Sequence, residues 1–114
     1  FSLEERVVLA KKSLENIKNI EVIPFSGLLV DFATKLNAKV ILRGLRVVSD
    51  FEYEFQMSSM NKKLNNNIES IFLTPSESYA FLSSSLVKEI AQLGGDVSTF
   101  VNEDVKTALE RKYK

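Results

Sequence analysis

The chain has 114 residues, 45% of them hydrophobic and 26% charged, with 15 Lys and Arg against 15 Asp and Glu, so its formal charge is zero. It has no His and no Cys, which excludes a Cys/His zinc site, a disulfide framework, a thiol nucleophile and an imidazole base built from these residues. Its length and apolar fraction suit one globular domain. The balanced, scattered charge gives no general attraction to nucleic acid or to an anionic membrane, and no apolar run is long enough to span a bilayer.

Ser2-Leu3-Glu4-Glu5 has the spacing of a capping box, so a helix is expected to begin at once and run to about Asn16, with Leu3, Val7, Ala10 and Leu14 on its apolar stripe. Ile20-Glu21-Val22-Ile23 alternates and is β-branched, and Pro24 ends it, which predicts a short strand. Leu28, Leu29, Phe32, Ala33 and Leu36 recur at helical spacing, and Asn37 tolerates the left-handed conformation that closes a helix. Lys39-Val40-Ile41-Leu42 reads as a strand buried on both faces. Ser49-Asp50-Phe51-Glu52 offers a second capping box, for a helix to about Leu64 with Phe51, Phe55, Met57 and Met60 on an apolar face. After a polar turn at Asn65-Asn66-Asn67, Ile68 to Leu73 predicts a third strand, and Pro75 to Ala80 a loop. Ser83-Ser84-Ser85 caps a helix stopped by Gly94-Gly95, and Asn102 caps a last helix to about Lys112. The order αβαβαβαα, without repeat or linker, predicts a single α/β domain built on a parallel sheet.

In open parallel sheets, ligands bind beyond the carboxyl ends of the strands. The loop from Pro24 to Leu29 is apolar and offers a wall at most, and by sequence alone Leu28 and Leu29 suit core packing better. In Arg43-Gly44-Leu45-Arg46, two guanidiniums flank a Gly that lets backbone approach a ligand, which suits a phosphate or carboxylate. The alternative is a pair of surface ion pairs with Glu52 or Glu54. Glu54 lies in the first turns of a helix, where the macrodipole favours a carboxylate in any case. In Tyr79 to Ser85, three hydroxyls at a helix start join amides suited to phosphate oxygens, with Lys88 a turn further on. Here the alternative is an ordinary N-cap with spare serines.

The strings Phe1 to Val7, Ile41 to Gln56 (ILRGLRVVSDFEYEFQ), Phe81 to Glu89 (FLSSSLVKE) and Gly95-Asp96-Val97 resemble the bacterial phosphopantetheine adenylyltransferases, of the nucleotidyltransferase superfamily, over the whole chain. The resemblance implies a Rossmann-like parallel sheet. It also implies transfer of the adenylyl group of ATP to 4′-phosphopantetheine with release of pyrophosphate, in coenzyme A biosynthesis, with Mg²⁺ as cofactor, in a cytoplasmic homo-hexamer. Carried over residue by residue, it places Arg43 and Leu29 at phosphopantetheine and Gly44, Leu45, Arg46 and Glu54 at ATP. Tyr79, Ala80, Phe81, Leu82, Ser83, Ser84 and Ser85 would surround the adenine and phosphates. Arg46 and Lys88 would stabilise charge during transfer, and no residue is assigned as a metal ligand. Asp50 and Asn61 are structural or interface candidates only. In-line displacement at phosphorus needs charge stabilisation and alignment more than a covalent nucleophile, and these residue types supply both.

Two departures stand out. Asn102 replaces a Pro common in the family at the start of the last helix. The family's first signature, a Thr-x-Gly-His-type loop after the first strand whose His stabilises the transferring phosphate, has no counterpart here, nor does a substrate-binding Lys. Both would precede Phe1. In the doubly wound order 3-2-1-4-5, the first two strands of the family sheet would lie between the strand at Ile20 and the pair at Val40 and Ile68. Without them, interior strand edges would lack partners. The chain is therefore expected to be a portion of a larger nucleotidyltransferase domain, and a molecule truly beginning at Phe1 is expected to lose catalysis. The competing readings are a nucleotidyltransferase with another phosphorylated acceptor, and a catalytically silent ligand-binding or oligomerising remnant.

Overall fold

Five α-helices, one parallel strand pair and one 3₁₀ turn make up the regular structure of the computed structural model, which describes residues 1–114. The helices are α1 (Leu3–Ser13), α2 (Leu29–Lys35), α3 (Val48–Leu64), α4 (Ser84–Gln92) and α5 (Glu103–Tyr113), and the strands are β1 (Val40–Gly44) and β2 (Glu69–Leu73). The chain divides into two compact units, residues 25–81 in one and residues 1–24 with 82–114 in the other. No helix is long and apolar enough to cross a membrane.

In the 25–81 unit, β1 and β2 run parallel with α3 as the crossover, and Val40 stands opposite Glu69, Arg43 opposite Phe72 and Gly44 opposite Leu73. Successive strand residues face opposite sides. Ile41 and Ile68 are buried with Ala33 of α2, and Leu29 and Ala38 pack against them. Val40, Leu42, Ile71 and Leu73, at the alternate positions, stay exposed. The expectation that the strand at Lys39 to Leu42 is buried on both faces is thus corrected: only Ile41 of β1 is buried, because only one face of the pair carries the core. Asn37 closes α2 in the left-handed conformation the sequence allows, with φ of 54°.

Helix α3 departs from its predicted start. Val47 is its N-cap with no side-chain cap bond, and the Asp50 carboxylate instead accepts the Arg46 backbone N–H at 3.1 Å. Phe51, Phe55, Met57 and Met60 are all exposed, with the Phe51 and Phe55 rings stacked at 5.8 Å. The one buried residue of this helix is a carboxylate, Glu54.

In the other unit the capping box of α1 forms as expected. Ser2 Oγ accepts the Glu5 amide at 3.2 Å and the Ser2 amide donates to Glu5 Oε2 at 2.6 Å. The predicted strand at Ile20 to Ile23 does not form: these residues have no ladder partner, since the sheet contains β1 and β2 alone. Alternation and β-branching favour extended backbone, but a strand exists only when a neighbour accepts its hydrogen bonds. Ser83 Oγ caps α4 by accepting the Leu86 amide at 3.1 Å. Gly94, at φ 80°, turns the chain out, and a Cβ on Gly95 would come within 2.6 Å of Ile90 Cγ2. Val87, Val97 and Leu109 form this unit's buried core.

Helices α1 and α5 run antiparallel, tied by the Lys12–Asp104 ion pair at 2.8 Å and by the Lys112 ammonium 5.3 Å from the centre of the Phe1 ring. Asn102 begins α5, its Oδ1 accepting the Val105 amide at 3.0 Å while its Nδ2 donates to Ser13 Oγ. Asn102→Ala is expected to cost about 1 kcal/mol, and Asn102→Asp to keep most of the cap. Urea unfolding followed by far-UV circular dichroism checks both; equal stabilities for parent and Ala variant would show that the cap contributes nothing.

Candidate functional site

Arg43 lies near the carboxyl end of β1, on the same side as Ile41, so strand alternation aims its side chain over the covered face. Helix α3 supplies its partner. Arg43 Nε donates to Glu54 Oε2 at 2.8 Å and Nη2 donates to Oε1 at 2.6 Å, a bidentate, charge-assisted pair. The guanidinium holds the Glu54 carboxyl below the usual carboxylate range, against an opposing upward push from burial. The carboxylate in turn raises the Arg43 pKa.

Around this pair lies a small cleft of about 80 Å³, lined by Leu29, Arg43, Tyr53, Glu54, Met57, Ser58, Asn61, Ser70 and Phe72. Leu29 and Arg43, the two residues assigned to the acceptor, therefore meet at one place. Glu54, assigned to the nucleotide, is there as well, with both oxygens on Arg43. Tyr53, Met57 and Asn61 were not assigned to the acceptor from sequence, although their four-residue spacing puts them on one stripe of α3. Ser70 and Phe72 were missed too; parallel pairing places them opposite Ile41 and Arg43.

Arg46 is held by a different carboxylate. Its Nε donates to Asp50 Oδ2 at 3.0 Å and its Nη2 to Oδ1 at 3.3 Å, which adds two bonds to the backbone one already described. The Asp50 carboxyl is consequently depressed, chiefly by its side-chain bond from Arg46. Sequence reasoning named Glu52 or Glu54 as possible partners of the two arginines; Glu54 takes Arg43, and the i,i+4 spacing of Arg46 and Asp50 was the overlooked signal for the second pair. Gly44 ends β1, and the Leu45 amide continues the ladder by donating to the Leu73 carbonyl at 2.8 Å.

Tyr79 ends the 3₁₀ turn, and Tyr79 and Phe81 are exposed while Ala80 is half-buried. The rest of the predicted nucleotide group lies on the other unit. Leu82 packs on the Val87, Val97 and Leu109 core. Ser83 Oγ accepts the α4 cap bond from the Leu86 amide, and Ser84, Ser85 and Lys88 are exposed in the first turns of that helix. Of the amides at the start of α4, that of Leu86 is taken by Ser83 Oγ, and those of Ser84 and Ser85 fall in the first turn, where no carbonyl of the helix can accept them. That unit also has a groove of about 820 Å³ between α1 and α5, lined by none of the ligand-binding or catalytic residues expected from sequence.

No three or more acidic side chains converge in a group able to hold a metal ion.

A protein-family model described as cytidylyltransferase-like matches residues 1–90. The match runs through β1, the arginine loop, α3, β2 and the serine loop.

Because the Glu54 and Asp50 carboxyls are depressed in the folded state, they contribute stability that is present above their unfolded values near pH ~4 and is lost as pH falls through the lower folded values. Glu54→Gln should therefore flatten the acid limb of the stability curve. Carbon-13 titration of the Glu54 carboxyl gives a direct check: its midpoint should rise in Arg43→Ala, and an unmoved midpoint would show that Arg43 is not the cause.

Proposed function

The chain belongs to the cytidylyltransferase-like family, within the nucleotidyltransferase superfamily, and from that premise we propose that it handles the adenylyl group of ATP and the acceptor 4′-phosphopantetheine. One observation carries the choice of acceptor: Leu29 and Arg43, matched to that substrate from two separate stretches of sequence, line the same cleft. The cleft joins a bidentate cation to Leu29, Met57 and Phe72, a combination suited to a molecule with a phosphate at one end and an uncharged arm.

In the proposed reaction an oxygen of the acceptor phosphate attacks the α-phosphorus of ATP, the bond from that phosphorus to the α,β-bridging oxygen breaks, and pyrophosphate leaves. A phosphate monoester with a second pKa near ~6 is largely dianionic at neutral pH, so the nucleophile needs no base. Charge on the departing oxygens needs cations and amides instead. In the 25–81 unit Arg46 is proposed for that role, with Gly44, Leu45, Tyr79, Ala80 and Phe81 as further ATP contacts; for Leu82, Ser83, Ser84, Ser85 and Lys88 of the other unit, the resemblance alone supports a nucleotide role. Glu54 belongs to the nucleotide set only through a donor, such as a ribose hydroxyl or the adenine amine, because its carboxylate repels phosphate. The resemblance extends the proposal to Mg²⁺ carried on the ATP phosphates, a cytoplasmic location and a hexameric assembly.

Acceptor-dependent pyrophosphate release from ATP by the full-length protein tests the reading. Arg46→Ala is expected to lower kcat by about 100-fold with little change in acceptor KM, and Arg43→Ala to do the reverse, raising acceptor KM by roughly tenfold. Identical kinetic profiles would refute this division of labour. Equal affinity for nicotinamide mononucleotide and 4′-phosphopantetheine would remove the acceptor assignment.

A further inference from the structure

We propose that Glu54 is a positioning residue for the acceptor, turning Arg43 so that one edge of its guanidinium is reserved for the acceptor phosphate. The inference rests on the reading that Arg43 receives that phosphate. A guanidinium has five N–H donors in a planar fork. Glu54 takes the edge formed by Nε and one hydrogen of Nη2. The edge formed by Nη1 and the other Nη2 hydrogen remains for a second bidentate oxyanion. Exposure divides the pair in the same sense, because the Glu54 side chain is 11% accessible and that of Arg43 is 45% accessible. The carboxylate is thus the buried anchor, and the arginine is the part a ligand can reach.

Orientation matters here because a long, exposed arginine otherwise loses rotamer freedom when it binds. Glu54 sits on α3, within a regular helix, and holds Arg43 before any ligand arrives. The pair is also neutral, so attraction by net charge is weak and recognition depends on directed hydrogen bonds. That arrangement suits a terminal phosphate monoester, whose several oxygens can fill an open donor edge, and gives little to the same molecule without its phosphate.

A double-mutant cycle tests this, with 4′-phosphopantetheine and pantetheine titrated calorimetrically into the full-length protein, Glu54→Gln, Arg43→Ala and the double variant. Glu54→Gln should weaken 4′-phosphopantetheine by about tenfold and leave pantetheine within about twofold. In the Arg43→Ala background the same change should add less than about twofold, because the carboxylate then has nothing to orient. Equal losses in both backgrounds, or unchanged or tighter binding in Glu54→Gln, would overturn the proposal. If Glu54→Gln does not fold, Arg43→Lys serves: it keeps the charge and removes the planar fork, so a similar tenfold loss is expected, and parent-like affinity would count against positioning. If the parent protein takes up no 4′-phosphopantetheine, the acceptor assignment fails by itself. The cycle is then read with inorganic phosphate, where a loss coupled to Arg43 supports the positioning role, and an uncoupled loss or no binding overturns it.

Discussion

The parallel pairing of β1 with β2 is the constraint on which the 25–81 unit depends. Five residue pairs in register, from Val40 with Glu69 to Gly44 with Leu73, decide which side chains share a face. One residue of slip would move Ile41 and Arg43 from the covered side to the bare one. The same pairing forces a crossover, and the crossover is α3. The helix that completes the topology is therefore also the helix that brings Glu54 and Asp50 to the two arginines at the strand end.

Polar contacts are prominent in this part of the molecule. The buried core of the unit is small, and α3 leaves its large apolar side chains in solvent while burying a carboxylate. Burying a charge is unfavourable unless it is paired and hydrogen-bonded. Glu54 meets that condition by taking two bonds from one guanidinium. An apolar residue at position 54 would remove the desolvation cost and leave Arg43 without its carboxylate partner, which is a physical reason for a carboxylate there under the proposed role of Arg43.

Much of the fold was legible because local rules and tertiary demand agreed. Ser2 with Glu5, Ser83 and Asn102 each made the cap their spacing announced, and Asn37 took its left-handed turn. The failures fall where a local pattern needed something outside itself. Ile20 to Ile23 has strand chemistry and no partner strand. Ser49 and Glu52 have capping-box spacing, but Asp50 was drawn to Arg46 and the helix began one residue before the expected cap. Within the site, the Arg43 and Arg46 loop stood out at once. Its two readings, oxyanion site and ion pairs, turn out to be compatible, since a fork with five donors can pair with a carboxylate and still present an edge. Tyr53, Ser70 and Phe72 were hidden because each is unremarkable in sequence and gains meaning only from the cleft they share, and Asn61, expected only as a structural or interface residue, lines the same cleft.

The family match to residues 1–90 covers both loops, and the proposed acceptor site is at the first of them: a strand-end arginine, bonded to a buried glutamate, beside a cleft with an apolar wall. A crystal structure of the full-length protein with 4′-phosphopantetheine examines that claim most directly. The account expects the phosphate at about 2.7–2.9 Å from Nη1 and Nη2 of Arg43, with the Glu54 pair intact and the arm running past Leu29. A phosphate bound away from Arg43, or one that displaces Glu54 from it, would contradict the account.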